Sequence, residues 1–271
     1  MFENASFGQY IPGDSFIHRL DPRVKFVALM VFLVAVIMCR HPLAVLIMAG
    51  VAVFNVFLSK TSWRDAMGSL RAIIPLVVIA FIFNIFSVSA DHHILVELGR
   101  FKISVESITQ AMTMSIRIMA LILASNTFLS LTTSAMDLSS AVSSLISPLR
   151  HVGVPVQDIG MMMSIALRFI PTLMEETDTL MKAQSSRGAN YDSGGFMQRM
   201  KGFVAILVPL FISSFRKAEA LAEAMEARAY RSDIKRGKLN PLRLQAKDIV
   251  YFVGFSLLCV GIVLVEKIAL A

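Results

Sequence analysis

The chain has 271 residues, 56% hydrophobic and only 17% charged, with a mean hydropathy of +0.68. That balance excludes a disordered chain and argues against an ordinary soluble domain, which needs far more polar surface. The formal charge of +7 would suggest nucleic acid only if the chain were soluble; in a membrane protein it reads as inside-facing loop charge. Cys39 and Cys259 each sit in an apolar run and indicate no disulfide framework, and the polar, turn-rich opening does not read as a cleavable signal peptide.

The first two apolar runs, residues 26–39 and 43–58, are separated only by Arg40-His41-Pro42 and predict a tight helical hairpin. Each is slightly short of the roughly 20 residues that cross hydrocarbon, so flanking residues must supply the rest. Residues 72–90 form a full-length run, with Pro75 near its start, where a missing backbone N–H costs least, and Asn84 as its strongly polar side chain. The fourth span, 108–131, carries Arg117 and Asn126, and the last covers 249–265. Between Thr132 and Asp248 the composition changes, with 15 Lys/Arg and 11 Asp/Glu among apolar residues at helical spacing. A shorter helix over 133–149 opens this block. Residues 158–184 then read as one long helix bent at Pro171, and 201–229 as another with Pro209 inside it. The uncharged part of the latter, 203–215, is too short to cross a bilayer comfortably and reads as buried or interfacial.

The expected fold is therefore all-α, with about five transmembrane helices plus a cytoplasmic block of long amphipathic helices. The divisions are 1–131, 132–248 and 249–271. Arg19, Arg23 and Lys25, then Lys60, Arg64 and Arg71, then the basic 132–248 block alternate correctly across five spans if all are cytoplasmic. The N-terminus is then inside and residues 266–271 outside, with Arg40 on the wrong side.

Asp178 and Lys182, four apart, predict a surface pair. Beyond them comes Ser186-Arg187-Gly188, where small residues thin the helix surface and Gly188 can cap it. The second long helix repeats this arrangement at Ala227-Arg228-Ala229, after an alanine-rich stretch striped by Glu219, Glu223 and Glu226. An arginine fork suits gripping a carboxylate or backbone carbonyls on a partner. Read from residues alone, the plainer reading is that both arginines are interfacial charges under the positive-inside rule, ahead of docking, with phospholipid headgroup binding as a third. Arg117 must snorkel to one end or serve helix packing or gating. Arg168, just before Pro171, reads as an inward hydrogen bond tying the bend together. Asp91-His92-His93 reads as ordinary loop polarity rather than a metal site, since neighbouring side chains point apart. Seventeen methionines, with Met161-Met162-Met163 in a row, offer adaptable packing. No phosphate-binding G-x-x-x-x-G-K-[ST] loop and no nucleophile-base motif occurs, so no catalytic, metal or cofactor-binding residue is assigned. No acidic residue lies within an apolar core, which weakens an ion-coupled secondary transporter.

The stretches GQYIPGDSFIHRLDPRVK (residues 8–25), RFIPTLMEETDTLMKAQSSRGA (168–189) and LVPLFISSFRKAEALAEAMEARAY (207–230) together resemble the CbiQ-like EcfT family, the transmembrane coupling component of energy-coupling factor transporters. The resemblance implies a non-catalytic scaffold in a prokaryotic cell membrane for ATP-driven uptake of vitamins or other micronutrients. It implies that 132–248 is a coupling domain whose two Ala-Arg-Gly-like motifs dock on a pair of ABC-type ATPase subunits, which bind the ATP and Mg2+, while a substrate-binding membrane subunit supplies specificity. By position Ser186-Arg187-Gly188 is the first motif and Ala227-Arg228-Ala229 the second. Ser186 and Ala229 depart from the pattern, and alanine at 229 continues a helix more readily than it ends one. The competing readings are a self-contained channel or secondary transporter, which transports unaided, and a membrane enzyme of lipid metabolism, which turns over alone.

Overall fold

A computed structural model describes residues 13, 15–61, 63–87, 94–98, 101–189, 195–231 and 244–270. Eight α-helices account for most of them: α1 Pro22–Met38, α2 Pro42–Ser59, α3 Trp63–Ser87, α4 Val105–Ser125, α5 Ala135–Leu145, α6 Val156–Ser186, α7 Phe196–Ala227 and α8 Ala246–Leu270. Among the described residues the exception to an all-α fold is an antiparallel strand pair, β1 Ile94–Leu98 with β2 Phe101–Ser104, which pairs Leu98 with Phe101 and Glu97 with Lys102. Residues 91–93 lie outside the described residues.

Among the described residues, three helices are long and apolar enough to cross a membrane: Pro42–Ser59, Val105–Leu129 and Ala246–Ala269. Two of the five expected spans fall short of that measure for separate reasons. Helix α1 has only 17 residues, about 25 Å at 1.5 Å per residue. Helix α3 reaches 25 residues by starting at Trp63, so its apolar part is confined to Ile73–Ile85 behind polar opening turns. Pro75 therefore lies inside α3 rather than near a helix start, and its missing N–H leaves the carbonyl of Arg71 without the usual helical partner.

The chain divides into two compact units, one of residues 8–142 with 242–271 and the other of 143–241, the division falling within α5. In the first unit, α1, α2, α4 and α8 enclose a core of Leu29, Phe32, Val36, Val45, Met48, Phe128 and Phe255. Phe255 stacks on Phe32 and Tyr251 and meets Phe128 edge-on. Asn55, the one amide in α2, is satisfied by donating to its own turn at Val51 and by accepting from Tyr251 Oη at 2.6 Å. Large apolar side chains such as Phe54, Phe57, Leu257 and Leu264 face outward, an arrangement suited to lipid and costly in water.

Charged side chains fasten both ends of α8. At its start, buried Asp248 accepts from the backbone N–H of Asp21, the N-cap of α1, and from that of Gln245. At its far end, Glu266 accepts from the backbone N–H groups of Arg40 and His41, at 2.6 and 2.5 Å. The two carboxylates are about 27 Å apart along the helix, close to the thickness of a hydrocarbon core. Start meets start and end meets end, so α1 and α8 run parallel.

Helix α4 loosens into a six-residue π-helix, Asn126–Leu131, a form common at functional positions. Thr132 and Thr133 turn their hydroxyls onto the Phe128 carbonyl of this stretch, and Thr127 donates back to Leu123 O in α4. The carbonyl of the C-cap, Thr132, is met from outside: Lys25, only 2% exposed, donates to it at 2.8 Å and to His18 O at 3.2 Å. Replacing a buried charge with an isosteric apolar group strands those acceptors. Lys25→Met should therefore lower the stability of the first unit by about 2–3 kcal/mol, read as an earlier thermal transition in detergent; an unchanged transition would show the ammonium to be dispensable.

Candidate functional site: two arginine-capped helix ends

Helices α6 and α7 each end on one of the sequence-predicted arginines, and they end in the same way. Arg187 is the C-cap of α6, with Gly188 following at φ +85. The N–H of Gly188 returns to Ser185 O at 2.9 Å and that of Ala189 to Gln184 O at 3.0 Å. Arg228 is the C-cap of α7, with Ala229 N–H on Glu226 O at 2.8 Å and Tyr230 N–H on Met225 O at 3.0 Å. This paired 6→1 and 5→2 closure is the Schellman motif, and it stops a helix sharply. Alanine at 229 does not prolong α7: it is left-handed at φ +55, and the backbone closure around it is made without a glycine. That conformation costs a residue with a Cβ roughly 1–2 kcal/mol.

Both arginines are exposed, and neither guanidinium has a side-chain partner among the described residues. A cation at a helix C-terminus is favoured by the helix dipole, so the site keeps its charge without a counterion of its own. Ser186 donates its hydroxyl back to Lys182 O, removing its polar group from competition around Arg187. Glu219, Glu223 and Glu226 are all exposed on the last turns of α7.

Helices α6 and α7 run antiparallel. Glu176 of α6 accepts from both Ser213 and Lys217 of α7, and Tyr230, just beyond α7, donates to Asp158 in the first turn of α6 at 3.5 Å. Between these contacts lies an open, mostly apolar groove of about 460 Å³, floored by Ile165, Phe169, Leu173, Leu221 and Met225. The two arginines are therefore not brought together: Arg187 lies about 40 Å along α6 from the Asp158 end, where α7 terminates. The unit presents two similar cationic tips facing apart. The exposed apolar row Phe203, Leu207, Phe211 and Phe215 runs along α7 behind its tip.

The other predicted positions fall elsewhere. Pro171 and Pro209 sit inside α6 and α7, both of which continue unbroken through them. Arg168 is exposed and makes no hydrogen bond among the described residues, so it does not tie the bend inward as expected. Nor do Asp178 and Lys182 form an ion pair among those residues; the pair in α6 is made by Glu176 and spans two helices. Arg117 neither lies bare in the bilayer nor stays unpaired: its guanidinium donates to Cys39 O at 2.5 Å, the carbonyl that caps α1, and approaches Met114 Sδ. Glu176, Ser213 and Lys217 went unmarked as a group in the sequence, although Glu176 and Lys217 are separated by 41 residues, as Arg187 and Arg228 are. No cluster of three or more metal-ligating groups occurs among the described residues.

The comparisons with known proteins agree on one family. The family model described as CbiQ, cobalt transport protein, matches residues 13–238. A Brevibacillus brevis protein named energy-coupling factor transporter transmembrane protein EcfT is 41% identical over 248 residues, covering 92% of this chain and 93% of the relative. Proteins of the same name from Thermosediminibacter oceani and Lactococcus lactis are 41% and 36% identical, covering 94% and 98% of the chain and 96% and 100% of the relatives.

Two measurements check this geometry. A Cβ at Gly188 meets nothing within 4 Å, so the cost of Gly188→Ala is purely conformational, about 1 kcal/mol, while Ala229→Gly should stabilise the α7 end by a similar or smaller amount. Hydrogen exchange at residues 187–189 and 228–230 should accelerate in the first variant and slow in the second; the reverse pattern would contradict the left-handed caps. The second is a pH profile. The hydrogen bonds from Lys217 and Ser213 hold the Glu176 carboxyl below its ordinary value of 4.5. A depressed carboxylate gives stability that is complete above the unfolded value and is lost as pH falls through the folded one. Protection of α6 against α7 should thus stay level from pH 8 to about 5 and fall below about 4, and Glu176→Gln should flatten that fall.

Proposed function

The chain belongs to the EcfT/CbiQ family of energy-coupling factor transporter transmembrane components, and from that premise we propose that it is the non-catalytic scaffold through which a pair of ABC-type ATPases drives uptake of a vitamin or other micronutrient. The observation that carries this reading is the pair of arginine-tipped Schellman ends at opposite extremes of one antiparallel helix pair. Two separated, geometrically alike cationic tips suit two related docking partners, one ATPase subunit for each tip. An arginine fork gripping a carboxylate or carbonyls on each subunit can transmit the closing and reopening that accompany ATP binding and hydrolysis.

In this proposal residues 132–248 are the cytoplasmic coupling domain, and Ser186-Arg187-Gly188 and Ala227-Arg228-Ala229 are its docking motifs. Helices α1 and α3 join α2, α4 and α8 as five spans, with the N-terminus inside and the C-terminus outside. Parallel α1 and α8 support that count, since the first and fifth of alternating spans point the same way. The exposed apolar row on α7, from Phe203 to Phe215, meets a substrate-binding membrane subunit and passes on its reorientation. ATP and Mg2+ belong to the ATPases, and substrate choice belongs to the binding subunit. Pro171 and Pro209 let each long helix bend where a backbone hydrogen bond is already absent.

Pull-down and uptake assays on Arg187→Ala and Arg228→Ala test the docking roles. Truncating one partner of a buried, charge-assisted contact costs about 2–5 kcal/mol, so each variant should lose ATPase association or ATP-driven uptake by at least tenfold. Association and uptake at wild-type levels, or transport by the purified chain alone, would defeat the proposal.

A further inference from the structure

The Glu176 contact occupies a place in the helix pair that its modest strength does not explain. Glu176 precedes Arg187 by eleven residues, and Lys217 precedes Arg228 by eleven. Eleven residues make about three turns, so each arginine's backbone returns to the helix face that carries its half of the ion pair. Pro171 and Pro209 both precede the contact, and the segments from contact to tip are uninterrupted α-helix. The pair thus has two uninterrupted arms of equal length, about 16 Å each, that run in opposite directions from the ion pair, the α7 arm lying along α6 as far as the Tyr230–Asp158 contact.

Apolar burial in the adjoining groove is non-directional and by itself permits two helices to slide or roll against one another. A carboxylate that accepts from Ser213 and Lys217, one turn apart on the same face of α7, fixes both register and rotation. Both partners are partly exposed, at 34% for Lys217 and 23% for Glu176, so the pair adds little to stability; what it supplies is a defined crossing point.

We propose that Glu176, Ser213 and Lys217 form a pivot through which displacement of one arginine tip is passed to the other, so that the two ATPases act on the membrane part in concert. They are positioning residues, and their role rests on the proposed scaffold function. Without the pivot each arm follows its own ATPase, and hydrolysis continues while coupling is lost.

The test uses the full transporter complex in proteoliposomes, with Glu176→Gln, Lys217→Met, and the exchange of Glu176→Lys with Lys217→Glu. Ser213 can donate to a carboxylate or accept from an ammonium, so the exchange keeps the three-way contact. The single variants should retain the ATPases and hydrolyse ATP near the wild-type rate, while uptake per ATP falls by about fivefold or more, and the exchange should recover most of it. Nitroxide labels at Lys182→Cys and Glu223→Cys, one on each arm, should report a narrow distance distribution in the wild type and in the exchange, and a broadened one in the single variants. The buried Cys39 and Cys259 are shielded from labelling. Glu176→Gln with wild-type coupling and an unbroadened distribution would overturn the pivot, as would an exchange no better than the singles among monodisperse complexes. A wild-type chain that binds no ATPase would defeat the scaffold reading and the pivot with it.

Discussion

Every helix end leaves backbone groups that its own ladder cannot satisfy, and in this chain charged side chains are matched to those ends. Asp248 and Glu266 meet the free N–H groups at the starts of α1 and α2. Lys25 and Arg117 meet free carbonyls beyond α4 and at the end of α1. In an apolar bundle such pairings are not optional, because an unmet backbone group there costs several kcal/mol. Helices α6 and α7 solve the same problem differently. Their Schellman closures satisfy the last carbonyls with backbone alone, and Arg187 and Arg228 remain available at the surface. The contrast separates charges consumed by the fold from charges left exposed at two helix ends.

That distinction was only partly legible in the sequence. Helix positions followed from apolar runs and periodicity, and Gly188 signalled a stop because only glycine adopts a left-handed conformation without strain. Ala229 carried no such signal, since alanine ordinarily continues a helix, yet it closes α7 left-handed at φ +55. Helix α3 begins earlier than its apolar run, as helical hydrogen bonding does not require hydrophobic residues, and this moved Pro75 inward. Arg168 was misplaced because proximity to a proline says nothing about which face of a helix a residue occupies. Glu176 and Lys217 belong to different helices, and no local pattern announces a contact that forms only on packing. The hairpin at 94–104 was hidden in a segment read as a plain loop.

The two prolines and the Glu176 contact divide each long helix into regions with different mechanics. Before the contact, each helix has a missing backbone bond and can flex; after it, each is continuous as far as its arginine. The half-exposed ion pair also lies where solvent can reach it, so salt weakens it more readily than it weakens the buried pairings of α8.

The parallel attachment of α8 to α1 has a consequence for biogenesis. Helix α8 is made after the whole 143–241 unit, yet it supplies the carboxylates that occupy the N–H groups of Asp21, Arg40 and His41. Until the ribosome has delivered it, the bundle of α1, α2 and α4 lacks its fourth helix, although the intervening 143–241 unit has already emerged. A chain stopped before residue 246 would lack both carboxylates and leave the N–H groups of Asp21, Arg40 and His41 without them, so the first bundle cannot close until α8 is in place.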